Sequence, residues 1–168
     1  MSYIGRFAPS PSGSLHFGSL IAALGSYLRA HSLAGQWLVR MEDLDPPREV
    51  KGASDEILRT LEAYGLNWHD SVLYQSKRSQ AYQDCIEQLL ANNQAYYCQC
   101  TRKMINAMGG VYDGRCGSGV KSHSSGAIRL RNSAKVDHFC DINRGGIWVD
   151  QAFATEDFII KRSDGLFA

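Results

Sequence analysis

The sequence predicts an α/β protein, with parallel strands at its start and a smaller, mainly antiparallel β block inserted later. Three observations carry that expectation. First, Tyr3 to Ala8 reads as a strand, Leu20, Ile21, Leu24, Tyr27 and Leu28 recur at helical spacing, and Trp37 to Met41 reads as a buried strand. Strand, helix and strand in that order form a βαβ unit, with a right-handed crossover and parallel strands. Second, the link from first strand to helix, Pro9-Ser10-Pro11-Ser12-Gly13, is rich in residues that hold a loop in a shape a helix does not tolerate. Third, from Tyr96 onward the chain changes to short alternating apolar runs that carry a Cys-x-Cys pair and a later cysteine.

Each further element has its own signal. Ala34-Gly35 ends the first helix. Ala53 to Tyr64 places Ile57, Leu58, Leu61 and Tyr64 on one helical face, with Ser54 as the expected cap, Asp55 and Glu56 in the first turn and Gly65 as the stop. Gln75-Ser76-Lys77-Arg78 reads as a solvated helix start. Tyr82, Cys85, Ile86, Leu89 and Leu90 mark the next helix, which places Cys85 in the core and ends at Asn92-Asn93. Tyr96 to Cys100 is strand-like, and Thr101 to Met108 reads as a short helix closed by Gly109-Gly110. The Ser/Gly-rich stretch 117–126 is expected to be a mobile loop. Ile128, Leu130, Val136, Phe139, Ile142, Ile147, Trp148 and Val149 suggest antiparallel strands, two of them joined by a hairpin turn at Asn143-Arg144-Gly145-Gly146. Asp157 to Ala168 reads as a strand and a turn.

Bulk properties narrow the class. A length of 168 residues is most simply one domain, and 44% hydrophobic with 21% charged residues fits a globular protein with a real core. A net charge of +1 provides no overall basic field, so any nucleic-acid contact must use a local patch. No apolar run is long enough to span a membrane and no secretory leader is evident, so a cytoplasmic protein, away from membranes and monomeric, is expected. In that setting Cys85, Cys98, Cys100, Cys116 and Cys140 are thiols or metal ligands rather than disulfides.

Two constellations carry chemistry. The loop after the first strand leads into a helix start, where free N–H groups and the dipole suit a phosphate, and Gly18 lets a ring or phosphate approach the backbone. Glu42, Asp43 and Asp45 follow the second strand, so the loop and the acidic segment both lie at strand carboxyl ends, where sheets of this kind bind ligands. The second constellation is Cys98-x-Cys100 with Cys116: three thiolates plus one oxygen or nitrogen donor close a tetrahedral zinc site. On spacing alone Tyr112, Asp113 and His123 compete for the fourth position.

The run Arg6-Phe7-Ala8-Pro9-Ser10-Pro11-Ser12-Gly13-x-Leu15-His16-Phe17-Gly18 resembles the first ATP-binding motif of class I aminoacyl-tRNA synthetases, in its glutamate-specific form. The helix Gly18-Ser19-Leu20-Ile21-Ala22-Ala23-Leu24-Gly25 and the segment Pro46-Pro47-Arg48 are similar to the shortened, queuosine-modifying branch, the glutamyl-queuosine tRNA(Asp) synthetases. The resemblance implies the first half of a nucleotide-binding, Rossmann-like class I catalytic fold over residues 1–95, a zinc-binding insertion over 96–156, and a return segment over 157–168. It implies activation of glutamate by ATP, with Mg²⁺ accompanying the ATP, and transfer to the queuosine base of tRNA(Asp). His16, Gly18 and Ser19 would serve the reaction. Arg6, Phe7, Ala8, Pro9, Ser10 and Glu42 would hold glutamate, Arg6 at its side-chain carboxylate and Glu42 at its ammonium. Pro9, Ser12, Gly13, His16 and Gly18 would hold ATP. Ser19 departs from the many synthetases that carry a second histidine there. Cys98, Cys100, Tyr112 and Cys116 would hold a structural zinc. The second, lysine-containing ATP loop has no counterpart before Ala168, so residues 1–168 by themselves are expected not to complete catalysis. Two other readings stand beside this one: an inactive, zinc-stabilised RNA- or glutamate-binding remnant, and part of an ordinary glutamyl-tRNA synthetase.

Overall fold

The structure, a computed structural model, describes residues 3–118 and 124–168. It divides into two compact units, residues 1–80 and 81–168.

In the first unit, β1 (Ile4–Phe7), β2 (Gln36–Met41) and β3 (Leu73–Tyr74) form a parallel sheet in the order β1-β2-β3. Helix α1 (Phe17–Ser32) connects β1 to β2, and α2 (Ala53–Ala63) lies on the path from β2 to β3. Trp37, Val39 and Met41 alternate into the core with Phe7 of β1, where they meet Ala23 and Ala30 of α1 and Ile57 and Leu61 of α2. Trp37 is the centre of this packing. Its indole donates to Ser26 Oγ at 2.8 Å, Tyr27 meets it edge-on at 5.2 Å, and its backbone N–H donates to His69 Nδ1 at 3.1 Å.

The α1 helix forms as its periodicity predicts, but of its bulky stripe only Tyr27 packs on the core. Ile21, Leu24 and Leu28 are exposed, together with Phe17, while Ala23 and Ala30 are fully buried. The reason is proximity. A Cβ on Gly5 of β1 would lie 3.0 Å from the Ser26 carbonyl oxygen and 3.1 Å from the Ala30 methyl, so only small residues fit between helix and strand. The end of α1 has a similar logic. Ala34, not Gly35, takes the left-handed conformation (φ 47°), and Gly35 is needed because a Cβ there would sit 2.3 Å from the Tyr3 carbonyl oxygen. For α2 the cap is Gly52, with φ 83°, and Ser54 lies inside the helix. Gly65 stops the helix as expected, in a left-handed conformation with its N–H on the Glu62 carbonyl.

The second unit contains α3 (Ser79–Ala91, whose first two residues lie before the boundary), β4 (Ala95–Cys98), α4 (Arg102–Ala107), β5 (Ala127–Leu130), β6 (His138–Asp141), β7 (Gly145–Trp148), α5 (Gln151–Ala154) and β8 (Phe158–Lys161). Strands β4, β5 and β8 form an antiparallel sheet in that order, and β6 and β7 form a hairpin. The hairpin turn lies at 142–144, where the Asp141 carboxylate accepts the N–H groups of Asn143 and Arg144. Ile86 is the buried residue of α3, and Cys85 is exposed rather than in the core, because it lies beside the stripe of Tyr82, Ile86, Leu89 and Leu90. The expected mobile loop falls partly on residues 119–123, as does His123, outside the described residues. No helix among the described residues is long and apolar enough to cross a membrane.

Two glycines of the first unit separate space from backbone freedom. A methyl group added at Gly25 in α1 would have nothing within 4 Å, whereas one at Gly35 would meet backbone. Gly25→Ala should raise the stability of the chain by up to about 1 kcal/mol, and Gly35→Ala should lower it by about 1–3 kcal/mol. Urea unfolding of the two variants checks both signs.

Candidate active-site crevice and metal centre

The loop between β1 and α1 is tied to the stretch between β2 and α2 by backbone bonds. The Glu42 N–H donates to the Pro9 carbonyl at 2.9 Å, and the Val50 N–H donates to the Pro11 carbonyl at 2.9 Å. Ser14 Oγ donates to the Glu56 carboxylate on α2 at 2.6 Å. The loop is therefore braced on three sides, and its two prolines, Pro9 and Pro11, are buried.

Two hollows open beside it. One, of about 400 Å³, is lined by the predicted residues Phe7, Ala8, Pro9, Ser10, Ser12, Gly13, His16, Gly18 and Ser19. The other, of about 190 Å³, brings Glu42 together with Asp45, Arg48 and Glu49. Ser10 and Ser12 line both, so the loop and the acidic strand end share a wall. Arg6 stands outside both linings; it is exposed on β1, alternating with buried Phe7.

His16 is the N-cap of α1. Its Nδ1 accepts the Ser19 N–H at 3.2 Å, and its Nε2 lies 3.1 Å from Ser19 Oγ. A Cβ on Gly18 would press on this ring at 3.1 Å, so the glycine leaves the imidazole room to lie against the helix start. Free N–H groups in this first turn can take an anion.

The acidic segment divides its work. Glu42 receives Arg40 Nη2 at 2.5 Å on one carboxylate oxygen. Asp43 accepts the Ser76 N–H at 2.9 Å and the Ser76 hydroxyl, which fixes the 3-10 turn Gln75–Arg78 that follows β3. Asp45 pairs with Arg48. Of the three, Glu42 and Asp45 line the small hollow, and Asp43 does not. Sequence reasoning does not single out Arg40. Its alternation with Val39 and Met41 is the available signal, since it places Arg40 and Glu42 on the same strand face.

In the second unit, Cys98, Cys100 and Cys116 bring their sulfur atoms within 4.8 Å of one another, with Cys100 and Cys116 3.6 Å apart. A tetrahedral thiolate site with metal–sulfur bonds of about 2.3 Å needs sulfur atoms about 3.8 Å apart, so these residues fit a metal. Tyr112 lies beside the three thiols. It is 3% exposed, its hydroxyl accepts the Cys116 N–H at 2.9 Å, and it also contacts the Cys98 thiol. Asp113 does not join, because it is exposed and its carboxylate is forked onto Arg115 at 2.7 and 3.0 Å.

The electrostatics match a metal cage. Burial, then the neighbouring Cys116 and Cys98, pushes the Cys100 thiol up to about 12. Burial also raises the Tyr112 phenol, reinforced by hydrogen bonds to Tyr96 and Cys116. For Cys116 burial opposes charge, but hydrogen bonds from Tyr112, the Gln99 backbone and the other two thiols outweigh it and lower its value. One thiol favoured as thiolate among groups that resist charge is a set that a divalent cation would stabilise.

Comparison with known proteins bears on both centres. Residues 4–129 match the family described as tRNA synthetases class I (E and Q), catalytic domain. A protein named glutamyl-Q tRNA(Asp) synthetase from Shewanella frigidimarina is 71% identical over 167 residues, covering 99% of this chain and 57% of the relative. One of the same name from Vibrio cholerae is 60% identical over 169 residues, covering 100% of this chain and 56% of the relative. The chain thus spans a little over half the length of these relatives. Among solved structures, a glutamate tRNA ligase from Elizabethkingia meningosepticum, in complex with its amino acid, is similar with a TM-score of 0.81 at 25% identity, over 100% of this chain and 40% of that one. The matched stretch begins at β1 and takes in the braced loop, Glu42 and all four candidate metal donors, so the chain belongs to the class I tRNA synthetases (E and Q), in their catalytic domain.

Proposed function

We propose that this chain supplies the crevice wall on which glutamate is activated by ATP before transfer to the queuosine base of tRNA(Asp). The observation that carries the reading is the bond from the Glu42 N–H to the Pro9 carbonyl, 2.9 Å long. It joins the motif loop to the acidic strand end, so that a phosphate at the helix start and an ammonium at Glu42 belong to neighbouring ends of one ligand system. The names and identities of the relatives support the choice of amino acid and acceptor.

In this mechanism a carboxylate oxygen of glutamate attacks the α-phosphorus of ATP, and pyrophosphate leaves with the electron pair of the broken P–O bond. A hydroxyl of the queuosine base then attacks the activated carbonyl, and AMP leaves. No protein nucleophile takes part. The chain orients the reactants and meets charge on the phosphates as it moves. The first turn of α1, with His16, Gly18 and Ser19, receives phosphate, and Pro9, Ser12 and Gly13 flank the nucleotide. Ala8 and Ser10 hold glutamate through backbone and hydroxyl groups, with Phe7 packed beneath. Glu42 takes the ammonium and Arg6 the side-chain carboxylate. ATP enters as its Mg²⁺ complex. The Cys98, Cys100, Tyr112 and Cys116 set holds zinc in a structural role, because four protein donors leave no open position for substrate.

Three measurements test this. Glutamate-dependent ATP–pyrophosphate exchange in the longer Shewanella frigidimarina relative should drop by about 30-fold or more in the counterparts of Arg6→Ala and Glu42→Ala, since losing one partner of a desolvated charged pair costs about 2–5 kcal/mol. Near-normal exchange would remove the residue from the site, and exchange by this chain at the rate of the longer relative would show that residues 1–168 suffice alone. Charging assays should give product with queuosine-containing tRNA(Asp) and none with the queuosine-free form; equal charging of both would assign an ordinary glutamyl-tRNA synthetase. Elemental analysis should find about one zinc per purified chain, falling sharply in Cys98→Ser and Cys116→Ser. A metal-free chain that is equally folded would remove the zinc.

A further inference from the structure

Beyond its place among the thiols, Tyr112 is held from two more directions. Arg129 of β5, the charged residue of the buried set at 2% exposure, lays its guanidinium carbon 3.8 Å from the centre of the Tyr112 ring. That guanidinium is itself held by the Asp157 carbonyl and lies 3.5 Å from the Glu156 carboxylate. At its hydroxyl, Tyr112 meets Tyr96, whose own hydroxyl donates to Asp157 Oδ2 at 2.6 Å.

Arg129 is a poor choice if its only task is to fill space. Its ion pair is long, and its Nε, fully buried, has no hydrogen-bond partner among the described residues. Buried charges with incomplete partners cost stability, and apolar residues of similar size commonly replace them without loss. Besides the Asp157 carbonyl, the cation has the face of one aromatic ring, and a cation is drawn to the electron density of such a face. A tyrosine oxygen bound to a divalent metal adds negative charge to that ring. The guanidinium therefore gains most when the metal is present.

We propose that Arg129 is a positioning residue of the metal centre: by stacking on Tyr112 it fixes the ring and stabilises the tyrosine oxygen as the fourth zinc donor. This rests on the zinc reading above. Partners outside the ligands of a metal commonly set its affinity by about 10–100-fold when removed.

The experiment uses the whole chain and Zn²⁺, with affinity read by competition against a chromophoric chelator. Arg129→Met keeps the length and removes the charge; it should bind zinc about 10–100-fold more weakly. Metal-free Arg129→Met should unfold at the same temperature or higher than the metal-free parent, which separates the effect from lost folding. In Tyr112→Phe the affinity should also fall, and Arg129→Met added to it should cause little further loss, because the arginine acts through the phenol. Loaded with Co²⁺, the parent should show the absorption of three sulfur donors and one phenolate, and Arg129→Met should shift it. Arg129→Lys, which keeps charge but not the planar stack, should fall between parent and Arg129→Met and covers the case in which Arg129→Met does not fold. Parent-like zinc affinity in Arg129→Met or Arg129→Lys, or an undiminished loss in the Tyr112→Phe background, would overturn the proposal while leaving the zinc intact. A parent chain with no affinity for zinc would overturn both.

Discussion

The first unit depends on how closely α1 lies against the sheet. Gly5, Ser26 and Ala30 meet at distances that allow no additional methyl, and Trp37 locks the contact by donating its indole N–H to Ser26. Because the helix is pinned near its C-terminal half, its other end has a determined position. That end carries His16, Gly18 and Ser19 and comes to rest beyond the carboxyl end of β1. The loop that spans the gap needs little freedom of its own, and two backbone bonds from Glu42 and Val50 take what remains. The candidate crevice is thus a by-product of a tight helix–strand contact some distance away.

Much of this is legible in the sequence, though not evenly. The β1-α1-β2 unit, the motif loop and the antiparallel character of the later strands follow from periodicity and turn residues. The buried face of α1 does not, because pattern reading weights large apolar residues, and here the small ones decide the contact. Ser54 is a reasonable cap by residue type, but Gly52 takes a left-handed conformation that starts α2 earlier. The four-residue helix α5 escapes pattern reading, although Asp150, whose carboxylate accepts the N–H groups of Ala152 and Phe153, is a local sign of it.

The two candidate centres differ in why they can be read. The candidate metal donors are close in sequence, so spacing alone brings out Cys98, Cys100 and Cys116 as a set. What surrounds them is hidden. Arg129 and Asp157 reach Tyr112 and Tyr96 only because β5 and β8 pair beside β4. The acidic segment shows the same limit. That Asp43 braces Ser76 depends on β3 lying next to β2, which no local rule states.

The pairing of Cys98 with Ala127 across β4 and β5 has a consequence for chain entropy. Before the ladder forms, the intervening segment is one long loop, and Cys116 lies within it. An ion that gathers Cys98, Cys100 and Cys116 splits that loop and leaves the stretch from Cys116 to Ala127 to be closed. Closure entropy grows with the logarithm of loop length, so shortening the open stretch by more than half makes the pairing easier by roughly 0.6–1 kcal/mol. The ion would then act on the search as well as on the finished fold, bringing β5 to β4 more often before any ladder hydrogen bond exists.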